Sequence, residues 1–142
     1  MTTVRHLLQE KGASVWTVPP DASVRDAVKM MDQKDVGLLV IAKGDDVVGI
    51  VSERDIARKL ILKDKSAVTT PVKDIMTTDV ITVSPEQTID ACMALMTSKH
   101  IRHLPVMDSK ELSGLISIGD VVKATIVEKE QLIKELQNYI SG

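Results

Sequence analysis

The chain is almost without aromatic residues: one tryptophan, one tyrosine and no phenylalanine among 142 residues. Proteins that hold single-stranded nucleic acid stack bases on several rings, so a nucleic-acid role starts weak and none is expected as a partner. Cysteine is nearly absent as well. The single Cys92 excludes a disulfide scaffold and makes a reducing, cytoplasmic compartment the default. Long apolar runs are missing, since stretches such as residues 36–42 fall far short of the roughly 20 needed to span a bilayer. The N-terminus lacks the basic segment and apolar stretch of a secretory signal, so no membrane association is expected. Neither sign of charge dominates: 18 Lys and Arg stand against 20 Asp and Glu, a net charge of −2. The surface as a whole is therefore no polyanion trap. What remains, 44% hydrophobic and 27% charged residues, is the make-up of a soluble globular protein.

What is present is an internal repeat. With Val15 placed on Val80, residues 15–58 fall on 80–123 without a gap. The identities include Thr17/Thr82, Val18/Val83, Pro20/Pro85, Met31/Met96, Leu39/Leu104, Gly49/Gly114, Ser52/Ser117 and Asp55/Asp120. Upstream, residues 4–8 resemble 72–76 at a slightly different offset. Each copy opens with a short extended segment (15–18, 80–83) and then a helix with Ser23 or Thr88 as N-cap. Val24, Ala27, Val28 and Met31, and likewise Ile89, Cys92, Met93 and Met96, recur on one helical face. Two apolar strands split by turn residues follow (38–42 with 47–52, 104–107 with 112–117), and a second helix starts near Arg54 or Gly119. The fold class is thus mixed α/β, two tandem β-α-β-β-α units. One such unit buries too little to stand alone, so the two are expected to pack about a pseudo-two-fold axis. Repeat one covers about residues 4–62, a linker 63–71, repeat two about 72–127, and a C-terminal helical extension 128–140.

The motifs in these copies resemble those of a known family. Val-Gly-Ile-Val-Ser-Glu-Arg-Asp (48–55) and Ser-Gly-Leu-Ile-Ser-Ile-Gly-Asp (113–120) are similar to the Gly-x-x-Ser/Thr-x-x-Asp signature of CBS (cystathionine β-synthase) domains. Arg-His-Leu-Pro-Val (102–106) resembles the strand that precedes it, and Val-Lys-Asp-Ile-Met-Thr (72–77) the start of a repeat. The likeness covers nearly the whole chain and leaves no catalytic domain over. It implies a free-standing CBS pair, or Bateman module, a type that often binds adenosine nucleotides in the clefts between repeats.

Under that resemblance Asp55 and Asp120 are candidates to accept both hydroxyls of a ribose. Ser52 and Ser117, three residues earlier, stand at the strand-to-helix turn, and Gly49 and Gly114 would let backbone and ligand come close. The same Ser-x-x-Asp spacing is also close to a capping box, a purely structural role. The resemblance places Arg102 and His103 toward ligand phosphates, and Arg54 adds a planar fork suited to them. The cleft of Ser117 and Asp120, with Val80, Ile81 and Thr82 around the base, is expected to bind best. The other would use Ser52, Asp55, Thr17, Gly37 and Leu38. It lacks the basic pair.

No zinc spacing or nucleophile motif occurs, so neither a metal site nor an enzyme is expected. The last helix, about residues 120–140, carries a distal apolar stripe that should pack on a second subunit or fold back over the flank. The leading reading is a dimeric sensor of AMP, ADP, ATP, NAD or S-adenosylmethionine that requires no cofactor and reports to an unknown regulated protein. A ligand-independent interaction module is the alternative, and a nucleic-acid binder a distant third.

Overall fold

The computed structural model describes residues 1–141. Its elements are α1 (Val4–Lys11), β1 (Thr17–Val18), α2 (Val24–Lys34), β2 (Leu38–Lys43), β3 (Asp46–Ser52) and α3 (Glu53–Asp55), which continues as a π-helix (Ile56–Ile61). A 3-10 turn (Val72–Asp74) leads to α4 (Ile89–Lys99), β4 (His103–Asp108), β5 (Glu111–Ser117) and α5 (Ile118–Ser141). The fold is mixed α/β, as the repeat implies, with sheets ordered β1-β2-β3 and β4-β5.

Helix starts fall where the capping residues stand. The Ser23 and Thr88 hydroxyls accept the N–H of Asp26 and Ala91, each at 3.1 Å. The helix α2 buries Val24, Ala27 and Met31, and α4 buries Ile89, Cys92 and Met96. Val28, the remaining position of the predicted stripe, is 42% exposed and faces a groove.

The compact units do not follow the repeat. Unit one gathers residues 1–14, 82–109 and those from 113 onward; unit two gathers 15–81 and 110–112. The segment ahead of each copy thus joins the other copy's elements, and the two exchanges match bond for bond. In unit one, Val4 N–H donates to the Gln87 carbonyl (2.8 Å), Arg5 N–H to Pro85 (2.9 Å) and Ile89 N–H to Thr2 (3.1 Å). In unit two, Val72 N–H donates to Ala22 (2.8 Å), Lys73 N–H to Pro20 (3.1 Å) and Val24 N–H to Thr70 (2.9 Å). Burial drives the exchange: Val72 and Ile75 enter the core of unit two beside Leu39, Ile41 and Val51. Val4 and Leu7 are buried in unit one, and each such side chain is worth about 1.5–3 kcal/mol.

The first strand of the second copy is weaker than expected. In unit two, β1 pairs in parallel with β2, and Val40 N–H donates to the Trp16 carbonyl. The equivalent of Val40 is Pro105, which has no N–H to give, and the predicted strand 80–83 shrinks to one bridge, Val83 with Val106. The C-terminal helix α5 runs unbroken, with no Gly or Pro after Gly119 until its end. Its distal Leu132, Ile133 and Leu136 are about half exposed, and Tyr139 and Ile140 more than 80%. It does not fold back over the flank.

Candidate functional site

Both Ser-x-x-Asp motifs form where strand turns into helix, and both are reciprocal caps. In unit two, Asp55 N–H donates to Ser52 Oγ (3.1 Å), while Asp55 Oδ2 accepts the Ser52 N–H (3.0 Å) and hydroxyl (3.1 Å). Its other oxygen, Oδ1, accepts the Thr77 hydroxyl (3.2 Å) and pairs with Lys59 Nζ (3.0 Å). Asp55 is 9% exposed and engaged at both oxygens. It is closed.

In unit one the cap repeats: Asp120 N–H donates to Ser117 Oγ (3.1 Å), and Ser117 N–H to Asp120 Oδ2 (2.8 Å). The same Oδ2 accepts Lys11 Nζ at 2.6 Å, and Lys11 also donates to the Leu115 carbonyl at 2.9 Å. Among the described residues no donor reaches Oδ1, and the Asp120 side chain is 25% exposed against 11% for Asp55. Burial pushes the Asp120 carboxyl up, but the Lys11 hydrogen bond, the Ser117 amide and hydroxyl and the Lys11 charge together hold it below its ordinary value. His103, half-buried at the start of β4, is pushed down by burial; Asp120 opposes this, and Lys11 and Arg102 add to it. An ionised carboxylate with one free oxygen therefore stands beside the Lys11 ammonium, with the His103 imidazole, whose charged form burial disfavours, facing it.

Arg102, just ahead of β4, and His103, the first residue of β4, diverge. The Arg102 carbonyl accepts the Ile118 N–H (2.8 Å), and its side chain lines a groove of about 590 Å³ with Ile118, Val122 and Ile126, which His103 does not line. Gly37 holds the equivalent place in unit two: its carbonyl accepts the Glu53 N–H (3.1 Å) and it lines a groove of about 440 Å³. Leu38 is buried, Thr17 and Arg54 are exposed, Val80 and Ile81 are half-buried at the end of unit two, and Thr82 is exposed in unit one.

The glycines correct the expectation that they admit a ligand. A Cβ on Gly49 would stand 2.6 Å from Met76 Sδ and 2.9 Å from the Thr77 carbonyl oxygen; one on Gly114 would stand 2.7 Å from Leu8 Cδ2. The protein's own exchanged segments fill the space, so these glycines serve packing. Cys92 is buried, which pushes its thiol up to about 11 and leaves it unreactive.

Sequence reasoning missed three partners of these carboxylates. Lys59 was legible, since it follows Asp55 at helical spacing. Thr77 and Lys11 come from the exchanged segments, which no local spacing reveals.

Comparisons with known proteins agree with the duplication. The CBS domain family matches residues 4–62 and again 72–126. A mitochondrial CBS domain-containing protein of Arabidopsis thaliana, CBSX3, is 41% identical, with 99% of this chain and 73% of that protein covered. A solved CBS-domain protein of Burkholderia ambifaria is 49% identical, covering 89% of this chain and 95% of its own, at a TM-score of 0.84. The CBS pair of protein MJ0100, solved with 5′-methylthioadenosine and S-adenosyl-L-methionine, shares the fold at a TM-score of 0.78 and 24% identity, over 90% of this chain and 98% of its own. No helix among the described residues is long and apolar enough to cross a membrane.

Proposed function

The chain belongs to the CBS-domain family and carries the domain twice, and on that premise we propose that it is a regulatory module that binds an adenine nucleotide and passes the bound state to a partner protein. The observation that carries this reading is the free oxygen of Asp120 beside Lys11 and His103. A ribose offers two adjacent hydroxyls to such a carboxylate, and the Lys11 ammonium and the His103 ring N–H suit the phosphate that follows it. The fold shared with MJ0100 accommodates adenosine ligands in that relative. The ligand class is AMP, ADP, ATP, NAD or S-adenosylmethionine, and the Lys11 ammonium favours the phosphorylated members. The module binds rather than catalyses, works as a homodimer in a reducing cytoplasm, and transmits the signal because the ligand favours one geometry of helices or subunits over another.

The test is thermal unfolding with each of these five compounds, on the wild type and on Asp120→Asn, which keeps a capping oxygen. A ligand at a hundred times its dissociation constant stabilises the wild type by about 2.7 kcal/mol. Asp120→Asn should lose most of that shift. A panel in which no compound raises Tm rejects the sensor and leaves a ligand-independent interaction module. A full shift retained by Asp120→Asn rejects this site.

A further inference from the structure

The segment that carries α1 is fastened to α5 at both ends, and the two fastenings differ. At its start Thr2 N–H donates to Glu128 Oε2 (3.2 Å), and Val4 and Leu7 just after it are buried. At its end the hold is the Lys11 side chain, 36% exposed, whose ammonium reaches Asp120 Oδ2 and the Leu115 carbonyl. Gly12 closes the helix with its N–H on the Leu8 carbonyl, and residues 12–14 are exposed. Lys11 can therefore swing on its flexible stem without disturbing the buried part of α1. Asp120 sets the terms of that movement. A carboxylate oxygen has about two lone-pair sites, and Oδ2 fills them with the Ser117 N–H at 2.8 Å and Lys11 at 2.6 Å. The adjacent hydroxyls of a ribose match a carboxylate one to each oxygen, so one donor on Oδ2 has to yield. The Ser117 N–H is backbone, held by the reciprocal cap. The lysine is the donor that can leave.

We infer that Lys11 is the specificity-determining residue of this site: a ribose displaces its ammonium from Asp120 Oδ2, and a phosphate on the same ligand takes that ammonium over. The inference rests on the adenine-nucleotide reading above and names which members of that class the site accepts. A phosphorylated ligand trades one anion for another around Lys11, so the charge-assisted bond lost to the carboxylate is regained. Adenosine has no anion to offer. It leaves the ammonium with the Leu115 carbonyl and no charge partner. S-adenosylmethionine brings a sulfonium, a second cation near the lysine, and meets repulsion in addition. Until a phosphate arrives, the lysine guards the carboxylate. Unit two has no such exchange. There Lys59 and the Thr77 hydroxyl hold Asp55 Oδ1 while the Ser52 N–H and hydroxyl hold Oδ2, so a ribose would have to unseat a donor from each oxygen.

Calorimetric titration of the full chain with ATP, adenosine and S-adenosylmethionine tests this on the wild type, Lys11→Met and Lys11→Arg. The wild type should bind ATP about tenfold more tightly than adenosine. Lys11→Met keeps the stem and removes the charge, so it should weaken ATP about tenfold while tightening adenosine several-fold. Lys11→Arg should keep the wild-type preference. A gain for adenosine cannot come from a chain that has failed to fold, so the variant reports on the site and not on stability. ATP and adenosine weakened alike in Lys11→Met, or both unchanged, overturn the role of Lys11 while the nucleotide reading stands. A wild type that binds adenosine or S-adenosylmethionine as tightly as ATP overturns it as well. A wild type that binds none of these, nor AMP, ADP or NAD, overturns both readings together.

Discussion

Asp55 and Asp120 share a motif, a register and a reciprocal cap with the serine three residues before, yet one is sealed and the other open. The difference comes from the segments that the two copies exchange. Ahead of the first copy, Thr3 caps a helix whose Thr3 hydroxyl accepts the His6 N–H while the His6 ring accepts the Thr3 N–H. Helix formers then carry α1 on to Lys11, long enough to set an ammonium on Asp120 Oδ2. Ahead of the second copy, Pro71 offers no side-chain cap, and only a 3-10 turn forms before the β-branched Thr77. Thr77 pairs with Ile50 instead and puts its hydroxyl on Asp55 Oδ1. A structural carboxylate and a candidate binding carboxylate thus differ by how long a neighbouring helix lasts.

Alanine at each carboxylate gives the largest effects and breaks the comparison cleanly. Asp55→Ala removes a cap and leaves the Ser52 amide, Thr77 and Lys59 without their acceptor, so unit two should lose about 3 kcal/mol in urea melts followed by Trp16 emission. Asp120→Ala should cost about 1–2 kcal/mol, since the group is more exposed and Lys11 keeps the Leu115 carbonyl. If both variants lose the same stability, the sealed and open descriptions are wrong.

Much of this was legible beforehand. The copies, their caps at Ser23 and Thr88 and the apolar faces of α2 and α4 follow from periods and short-range chemistry that a linear chain displays. So does the reciprocal pairing of Ser52 with Asp55. The exchange of residues 2–11 and 70–77 was not, because it depends on which of two similar cores each segment fills. Gly49 and Gly114 were misread for that reason: the atoms crowding them, from Met76, Thr77 and Leu8, arrive with the exchanged segments. Pro105 was visible, but its cost to strand 80–83 required the parallel register with Val106.

The glycines sharpen the comparison at intermediate magnitude. An alanine methyl at Gly114 meets only the flexible end of Leu8, which turns aside, whereas at Gly49 it also meets the backbone oxygen of Thr77. Gly49→Ala should therefore cost about 2–3 kcal/mol and Gly114→Ala about 1 kcal/mol, measured as chemical unfolding midpoints at constant m. Displacing Thr77 also unseats the hydroxyl on Asp55, so a second-site Thr77→Val change should cost less in the Gly49→Ala background than in the wild type. Equal losses at the two glycines would mean that Thr77 yields as readily as a side chain does.

The smallest effect is a pH dependence confined to unit one. His103 has Leu38 as its counterpart, so only the second copy titrates here. Burial, aided by Lys11 and Arg102, holds the folded His103 below its ordinary value of 6.5, with Asp120 in partial opposition. As pH falls below 6.5 the unfolded chain takes up a proton that the folded chain resists, so His103 destabilises the fold progressively until pH passes its folded value. The Asp120 carboxyl is likewise held low, and its stabilisation is lost only at more acid pH, below its ordinary 3.8. Urea midpoints taken between pH 7.5 and 5 should fall with acid in the wild type by less than either effect above. His103→Leu, which copies unit two, should flatten that slope, and a second series carried below pH 3.8 should show the Asp120 loss unchanged by this variant. Nucleotide binding gives the opposite sign. A phosphate beside His103 raises its affinity for a proton, so binding should tighten as pH falls from 7.5 to 6 in the wild type and stay level in His103→Leu. A variant that keeps the wild-type slope in both measurements would separate His103 from the Asp120 site.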